Sequence, residues 1–323
     1  MLDSDNEYAY RLKKNVNIVQ LTFNSSFAKS LVSMYAFPAK VLKKLSVNSF
    51  IAYYDFISNC VTNVFEKTYD IAIDFYGYGS FVTAFLATKI QAKKKATWLH
   101  DEKPYWMKSV QKYLCEYDKI YGVSQAVVDA FCREYPHYKD KAAVFYNVID
   151  IEEIKRKSEQ DEIIPFKESF NIVTVGRLTE QKGYDIAIKA ASILKKRKIN
   201  FAWYAIGGGR DEKKLKKLVE KYCLENQFVF LGRKKNPYPY MKHCDLYVQP
   251  SRHEGYVITL VEARALCLPI LSSDIPSARE QIQDGINGYV AELSAEDLAD
   301  KIEYLYNNPS QSCLLYTSPS PRD

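Results

Sequence analysis

The stretch that decides the fold is IVTVGRLTEQKG, residues 172–183. Its first four residues are β-branched, which favours a central strand, and Gly176 then permits a tight turn and close backbone approach. After Gly183, apolar residues recur at helical spacing and form a single stripe, namely Tyr184, Ala187, Ile188, Ala191 and Leu194. We therefore predict a strand, a short glycine loop and a helix, in that order.

Two cations, Arg177 and Lys182, lie in the predicted loop between this strand and this helix. Together they can hold a diphosphate, Arg177 with its planar fork and Lys182 as a point charge. The helix N-terminus adds unpaired N–H groups. A single loop cation is more commonly just solvated, but the order of strand, glycine, both cations and helix favours an anion-binding loop.

A second strand-to-helix stretch carries two glutamates, Glu254 and Glu262, with seven residues between them. The run LYVQP at 246–250 predicts a short buried strand, and a helix is predicted from Gly255 to Leu266. Ligands of open α/β sheets bind at this edge. Two acids beside an anion site fit a ligand that also carries hydroxyls, as a nucleotide sugar does. Acids near a helix start are also favoured by the helix dipole alone.

Strands and helices alternate along the rest of the chain, which predicts parallel sheets with helices on both faces. A chain of 323 residues is expected to form two domains. The polar segment 152–168, with Pro165, is the best linker candidate. Strands are predicted at 70–75, 95–99, 119–123, 171–175, 201–206, 228–231, 246–249 and 269–272, after a first strand-like segment at 17–21.

The net charge is +6, with lysine-rich clusters at 93–95, 195–198 and 213–217. Nucleic-acid binding is one interpretation of such clusters. The second cluster ends a predicted helix, where cations suit the dipole, and the third lies on the polar face of an amphipathic helix predicted at 211–222. Solvated helix surfaces are therefore favoured. The remaining hypothesis is attraction to an anionic membrane surface, where a lipid-linked acceptor would be presented.

Several protein classes are disfavoured by the composition. Seven cysteines without a CxxC pair indicate a reducing cytosol and no metal site, and we interpret Cys244, beside His243, as packing next to a strand. No run is long and apolar enough to span a membrane, and the start has no signal-peptide character. A dehydrogenase is disfavoured because no GxGxxG opens a helix with an acid about twenty residues on.

Short motifs follow one another in order, each at a predicted strand end: Gly176-Arg177-Leu178 with Lys182-Gly183, Gly207-Gly208-Gly209, FLG at 230–232, NPY at 236–238, Pro250-Ser251, and Glu254-Gly255 with Glu262-Ala263. This series resembles the donor-binding half of family 4 glycosyltransferases, continuously from about Asn171 to Val290. The earlier part of the chain is similar more loosely, through WLHD at 98–101, VSQ at 123–125 and YNVID at 146–150.

The resemblance implies the GT-B fold, in which two Rossmann-like α/β domains with parallel sheets face each other across a cleft. Residues 1–160 would form an acceptor-side domain that lacks part of its N-terminal region, and residues 165–312 the nucleotide-sugar donor-binding domain. The tail 313–323 fits no element and is expected to be non-native. We therefore expect a fragment that is truncated at both ends.

The same resemblance implies a retaining, hexosyltransferase-like reaction. A sugar would pass from a UDP- or GDP-sugar to a polysaccharide, oligosaccharide or lipid-linked acceptor in cell-surface glycan synthesis. Negative charge grows on the departing diphosphate, and Arg177, Lys182 and helix N–H groups would stabilise it. Because two fixed cations would replace a metal ion, neither a metal nor another cofactor is expected. The expected location is the cytoplasm, with peripheral contact at the inner face of the plasma membrane and no nucleic-acid partner.

The resemblance also assigns roles to residues. Glu262 would accept from the ribose hydroxyls, and Glu254 would hold the sugar and stabilise positive charge at the anomeric carbon. His100 would hydrogen-bond the transferred sugar, although a histidine at a strand end is more often structural. For the glycines at 207–209, a flexible turn is an equal alternative to close donor approach. The other expected donor-site residues are Gly176, Gly207, Gly208, Arg233, Tyr238, Ser251, Gly255, Tyr256 and Val257.

The sequence departs from the family pattern at two positions. Val257 stands where the family has a small residue or proline, and it is expected to narrow the pocket near the sugar. Cys267 stands where the family has a glycine that caps the helix. A cysteine in left-handed backbone geometry would be strained, so the helix is expected to end differently.

Two alternatives to transfer remain open. One is a hydrolase or epimerase of the same fold that acts on the nucleotide sugar without an acceptor. The other is an inactive nucleotide-binding fragment. The spacing of Arg177 and Lys182, together with that of Glu254 and Glu262, favours the transferase.

Overall fold

The computed structural model describes residues 16, 21–26, 28–30, 32, 48–62, 65, 67–77, 79–160 and 166–309. The predicted strand at 17–21 lies almost wholly outside these residues, and the tail 313–323 lies entirely outside them. The chain divides into two compact units. One comprises residues 1–122 and 128–144, and the other comprises residues 123–127 and 145–323.

The first unit contains a four-stranded parallel sheet in the order β1-β2-β3-β4. The first three strands confirm those predicted at 70–75, 95–99 and 119–123. Helix α3 starts among residues 123–127 and continues into this unit. In chain order the elements are α1 Asn48–Cys60, β1 Tyr69–Asp74, α2 Phe81–Lys89, β2 Ala92–Leu99, 3₁₀ turns Pro104–Ser109 and Gln111–Glu116, β3 Lys119–Gly122, α3 Gln125–Glu134, a 3₁₀ turn Pro136–Lys141 and β4 Ala142–Val144.

The second unit is built on a six-stranded parallel sheet, and its strands confirm all five predicted there. Its elements are α4 Ile151–Ser158, β5 Phe170–Val175, a 3₁₀ turn Glu180–Lys182, α5 Tyr184–Lys196, β6 Phe201–Ile206, α6 Glu212–Lys221, β7 Phe228–Gly232, α7 Tyr238–Lys242, β8 Leu246–Gln249, α8 Ile258–Ala265, β9 Ile270–Ser273, α9 Pro276–Arg279, β10 Tyr289–Ala291 and α10 Ala295–Asn307.

The strand order of this sheet is β7-β6-β5-β8-β9-β10. Counted from β5, the order is 3-2-1-4-5-6, the doubly wound arrangement of dinucleotide-binding sheets. The order reverses between β5 and β8, which pair directly. Ligands of such sheets bind beyond the carboxyl ends of the strands at this switch point. The fold therefore brings the two loops singled out in the sequence to the same place.

Apolar side chains on both faces of the sheet form the core of the second unit. All six residues of β6 are buried, as expected for a strand covered on both sides. Trp203 belongs to the cluster on one face and Tyr204 to the cluster on the other. The predicted stripe of α5 is confirmed, because all five of its residues are buried in the first cluster.

The segment 152–168, predicted as a linker, begins with a helix instead. Helix α4 starts at Ile151, and the Asp150 side chain caps it by accepting from Glu153 N at 2.9 Å. Ile154 is buried, and the helix packs against α7 and α8. The polar composition reflects its outer face, where Lys157 pairs with Glu153 at 2.7 Å. The linker prediction was therefore wrong for residues 152–158.

The C-terminus of α8 also differs from the expectation. Cys267 adopts the left-handed conformation, with φ of 55°. Leu268 N donates to Ala263 O at 3.0 Å, and Cys267 N donates to Arg264 O at 2.8 Å. These two bonds are those of a glycine-type helix cap. The helix thus ends with the same backbone geometry as a glycine cap, although this geometry is strained for a cysteine.

Candidate active site

The two glutamates lie where the sequence predicts them, but the helix begins later. Glu254 is in the loop after β8, and Glu262 is inside α8, which starts at Ile258 rather than just after Gly255. Residues 255–257 are therefore loop, and their backbone is not part of the helix.

The loops after β5 and β8 are packed against each other. A side chain at Gly183, where φ is +66°, would place its Cβ 1.8 Å from the Pro250 carbonyl oxygen. Arg252 N donates to Gln181 O at 2.8 Å, and the Gln181 amide donates to the His253 carbonyl at 3.0 Å. The two loops thus form one continuous wall at the switch point.

A buried ion pair joins these loops. Lys182 Nζ lies 2.6 Å from Glu254 Oε1, and the two side chains are only 14% and 9% exposed. The lysine stem passes Gly176, with its Cδ 3.4 Å from the position of a Cβ there. The cation expected to bind phosphate is therefore held by the acid expected to bind the sugar.

Polar side chains from β8 and α8 support Glu254. Ser251 Oγ donates to Glu254 Oε1 at 2.6 Å, and the Gln249 amide donates to Ser251 Oγ at 2.6 Å. Gln249 Oε1 in turn accepts from the Tyr247 hydroxyl at 2.7 Å and from Thr259 Oγ1 at 2.9 Å. Gln249 and Ser251 are fully buried. The predicted donor-site residue Ser251 thus contacts Glu254, and the sequence interpretation missed the three residues behind it.

Glu262 has a different environment. Its carboxylate accepts from the Tyr238 hydroxyl at 2.9 Å. Burial raises the pKa of Glu262 above that of an ordinary glutamate, and the hydrogen bond from Tyr238 lowers it in part. Tyr238, one of the expected donor-site residues, is therefore a direct partner of the glutamate predicted to bind ribose.

The glycines at 207–209 pack closely against the loop after β5. A Cβ on Gly207, where φ is +149°, would lie 1.9 Å from Gly176 O, and one on Gly209 would lie 2.3 Å from Leu178 O. Leu178 N also donates to Gly208 O at 3.2 Å. Both contacts are with backbone atoms that cannot move aside easily. Close backbone packing, rather than a flexible turn, thus explains Gly207 and Gly209.

The two arginines of the predicted site are both exposed. Arg177 forms no ion pair with any residue in the described part of the chain. Arg233 lies beside Gly208, because a Cβ at that glycine would come within 2.9 Å of its Nε. Arg177 thus lies just after β5 as a cation that has no acidic partner among the described residues.

Val257 does not have the predicted effect on a pocket. Its side chain is 1% exposed and packs in the core with Leu260 and Ala263. A valine that packs in the core cannot narrow an open site with its side chain. Tyr256 is only half-buried, and its ring lies 5.9 Å from that of Tyr146.

The segment 123–125, matched to the first domain by its motif, groups with the second unit. Ser124 Oγ donates to Gly255 O at 2.6 Å and accepts from Val127 N at 3.2 Å. The Glu280 carboxylate accepts from Gln125 N and Ala126 N at 3.0 and 2.6 Å. The start of α3 is thus capped by two side chains and holds the carbonyl of Gly255.

His100 lies at the end of β2 in the first unit, as predicted from its strand. Its Nε2 is 2.6 Å from the Phe75 carbonyl oxygen, and its ring meets that of Phe75 at 5.2 Å between centroids. These contacts fix the orientation of the imidazole ring within that unit.

Other features bear on cofactors and membranes. Among the described residues, no cluster of three or more His, Cys, Asp or Glu side chains could hold a metal ion. Cys244 is buried beside β8, as predicted, and burial raises the pKa of its thiol. No helix in the described ranges has the length and apolar character needed to cross a bilayer.

Comparison with solved structures identifies the fold as GT-B. TarM of S. aureus superposes with a TM-score of 0.65 at 21% identity, over 76% of this chain and 50% of TarM. HepE of Anabaena superposes with a TM-score of 0.64 at 17% identity, over 86% of this chain and 77% of HepE. Both of those crystal structures contain UDP.

Residues 155–315 match the family described as glycosyl transferases group 1. A curated relative is the N-acetylgalactosamine-N,N'-diacetylbacillosaminyl-diphospho-undecaprenol 4-alpha-N-acetylgalactosaminyltransferase of Campylobacter jejuni. It is 30% identical over 183 residues, which are 53% of this chain and 48% of that enzyme. The chain spans about half the length of the first curated relatives that it matches.

Proposed function

We propose that the protein is a retaining glycosyltransferase that uses a nucleoside diphosphate sugar. The observation that carries the proposal is the meeting of Lys182 and Glu254, 2.6 Å apart, across the switch point of a doubly wound sheet. The group 1 domain and the GT-B fold support the reaction class.

In this proposal, different residues of the second unit bind the diphosphate, the ribose and the sugar of the donor. Arg177 and Lys182 bind the diphosphate and stabilise the charge that grows on it as the sugar departs. Glu262 accepts from the ribose hydroxyls, and Glu254 binds the sugar. Lys182 must then change partner, from Glu254 to the diphosphate, when the donor enters.

UDP is the nucleotide to test first, because the TarM and HepE structures contain it. We propose a glycan or lipid-linked acceptor. The Campylobacter jejuni relative supports this choice, because its name specifies an undecaprenol-linked substrate. A cytoplasmic protein that contacts the inner face of the plasma membrane would meet such an acceptor.

Helix α6 is the proposed membrane-contacting surface. Four of its lysines, Lys213, Lys214, Lys217 and Lys221, are exposed and form no ion pair with any described residue. Each such lysine near an anionic bilayer contributes about 1 kcal/mol. Vesicles that contain phosphatidylglycerol should bind the protein at low salt and release it at high salt. Equal binding to neutral vesicles would exclude this surface.

We also propose that transfer needs no metal, because Arg177 and Lys182 supply the positive charge. Calorimetric binding of UDP should then be the same with magnesium and with EDTA. A tenfold or greater loss of affinity in EDTA would contradict this part of the proposal.

The test of the function is calorimetric binding of UDP and GDP, repeated with Glu262→Ala. Glu220→Ala is the matched control, since Glu220 is an exposed helical glutamate of the same unit. We expect one nucleotide to bind, the Glu262 variant to lose binding, and the control to keep it. Failure of both nucleotides to bind folded protein would contradict the donor-site assignment, whereas binding without turnover would favour the inactive nucleotide-binding fragment.

Product analysis separates transfer from the remaining alternative. A hydrolase or epimerase consumes the nucleotide sugar at full rate without an acceptor. A transferase releases UDP rapidly only when a glycan or lipid-linked acceptor is added, and the released sugar is found on that acceptor.

A further inference from the structure

A chain of buried polar side chains ends on Glu254 and begins inside the sheet. Tyr247 and Thr259 both donate to Gln249 Oε1, at 2.7 and 2.9 Å. Gln249 donates to Ser251, and Ser251 donates to Glu254, each at 2.6 Å. This series of hydrogen bonds links strand β8 to the first turn of α8. Glu254 lies between these two elements.

The carboxylate of Glu254 fixes the direction of every bond in this chain. An ionised carboxylate only accepts hydrogen bonds, so the Ser251 hydroxyl must donate its single proton to it. Ser251 can then only accept from Gln249, which requires the amide nitrogen of Gln249 to face Ser251. The amide oxygen faces the other way, where two hydroxyls donate to it.

Backbone contacts hold the middle of the chain in place. Ser273 Oγ donates to the Ser251 carbonyl, and Gly183 packs on the carbonyl of Pro250. Gln249 is 0% exposed, so water cannot replace a lost partner there without entering the core. A buried amide that is fully bonded in this way specifies one geometry.

Lys182 is the second group that holds Glu254, and it lies on the other loop. When a diphosphate attracts Lys182, Glu254 loses that contact. Ser251 remains, since it belongs to the same loop as Glu254 and is held from behind by Gln249. The hydrogen bonds from Gln249 to Ser251 and from Ser251 to Glu254 therefore support Glu254 even after donor binding removes its contact with Lys182.

We propose that Gln249 is a positioning residue of the donor site. By orienting the Ser251 hydroxyl, it keeps Glu254 in place to bind the sugar while Lys182 moves to the diphosphate. The proposal rests on the proposed function for the ligand, but its geometric part concerns the protein alone.

The first test compares UDP with UDP-glucose and UDP-N-acetylglucosamine by calorimetry, in the wild type and in Gln249→Met. Methionine keeps the size and apolar packing of glutamine but cannot donate to Ser251. We expect the affinity for UDP to be unchanged and that for the preferred UDP-sugar to fall about tenfold, the effect expected when a displaced Glu254 carboxylate loses one hydrogen bond from the sugar. Equal loss for UDP and UDP-sugar would indicate a merely structural residue and overturn the proposal.

Two further variants sharpen this test. Gln281→Met is the matched control, because Gln281 is also a buried glutamine of the second unit and bonds to Ser277 O instead; it should keep both affinities. Thr259→Val removes one of two donors to Gln249, so its effect should be smaller than that of Gln249→Met. An effect of Gln281→Met as large as that of Gln249→Met would refute the assignment.

The second test needs no ligand, so it holds even if no nucleotide binds. In a background with Trp98 and Trp106 replaced by phenylalanine, Trp203 is the one remaining tryptophan and reports unfolding of the second unit. A double-mutant cycle in urea measures the coupling between Gln249→Met and Glu254→Gln. We expect coupling although the two side chains are not in direct contact, and we expect Ser251→Ala to abolish it. Coupling that is absent, or that survives Ser251→Ala, would show that Gln249 does not act through Ser251. Absence of both UDP and GDP binding in the wild type would instead contradict the proposed function.

Discussion

Replacement of Lys182 by methionine tests whether the ion pair with Glu254 exists in the donor-free protein. Breaking a buried pair by removing one partner costs about 3–5 kcal/mol, because the other charge stays buried alone. Here Glu254 is 9% exposed and keeps the bond from Ser251, so the lower end, about 3 kcal/mol, applies. For a unit of this size that loss lowers Tm by about 6–12 °C.

Removal of both charges should restore most of the stability. In the double variant Lys182→Met with Glu254→Gln, neither position carries a charge, and Ser251 can still donate to the amide oxygen at position 254. Buried pairs replaced by neutral residues are commonly close to neutral in stability. We therefore expect the double variant to be more stable than Lys182→Met alone.

The assay is urea unfolding followed by Trp203 fluorescence, in the background without the other two tryptophans. Lys216→Met is the control, since Lys216 pairs with Glu212 at 2.7 Å on the surface, with side chains 53% and 37% exposed. Such a helical surface pair contributes about 0.3–0.5 kcal/mol. The reasoning fails if Lys182→Met and Lys216→Met unfold at the same urea concentration.

Three further outcomes are expected. Cys267→Gly should stabilise the second unit by about 1 kcal/mol in urea, because it relieves left-handed strain; Cys267→Ala, which keeps the strain, should not. Gly207→Ala should markedly destabilise the same unit, since its Cβ would lie 1.9 Å from a carbonyl oxygen; unfolding like that of the wild type would contradict this packing. UDP affinity should fall as pH drops through the raised pKa of Glu262, because the protonated acid accepts poorly from ribose hydroxyls. Tyr238→Phe raises that pKa further and should move the loss to higher pH in calorimetry; an unchanged pH profile would argue against this contact.

The sequence predicts those parts of the second unit that rest on local patterns. The β-branched run at 172–175 and the apolar stripe after Gly183 each specify one element, and both are present. The order of the motifs along the chain then predicts which loops carry the site. The sequence does not predict which strands are adjacent in the sheet. The structure shows that β5 and β8 are neighbours.

The features that the sequence analysis predicted wrongly or did not predict have different physical causes. Asp150 followed by Glu153 is a helix-start signal, and it was outweighed by the polar composition of the segment. Cys267 takes the left-handed conformation because Leu268 packs into the core behind it, so tertiary packing outweighs a backbone preference. Gln249 carried a usable signal, since a polar residue in a buried strand must find partners.

Two acids at the predicted anion site are accounted for by their contacts. The negative charge of Glu254 is paired with the positive charge of Lys182, and Glu262, whose pKa is raised by burial, accepts from the Tyr238 hydroxyl. Arg177 is exposed and forms no ion pair with a described residue, so it can attract a phosphate before any contact is broken. Transfer of Lys182 to the diphosphate would then leave the negative charge of Glu254 unpaired beside the sugar. There it would stabilise the positive charge that develops at the anomeric carbon. A donor without its sugar gains nothing from that charge. If the proposed exchange takes place, we therefore expect the site to bind the nucleotide sugar more tightly than the free nucleotide.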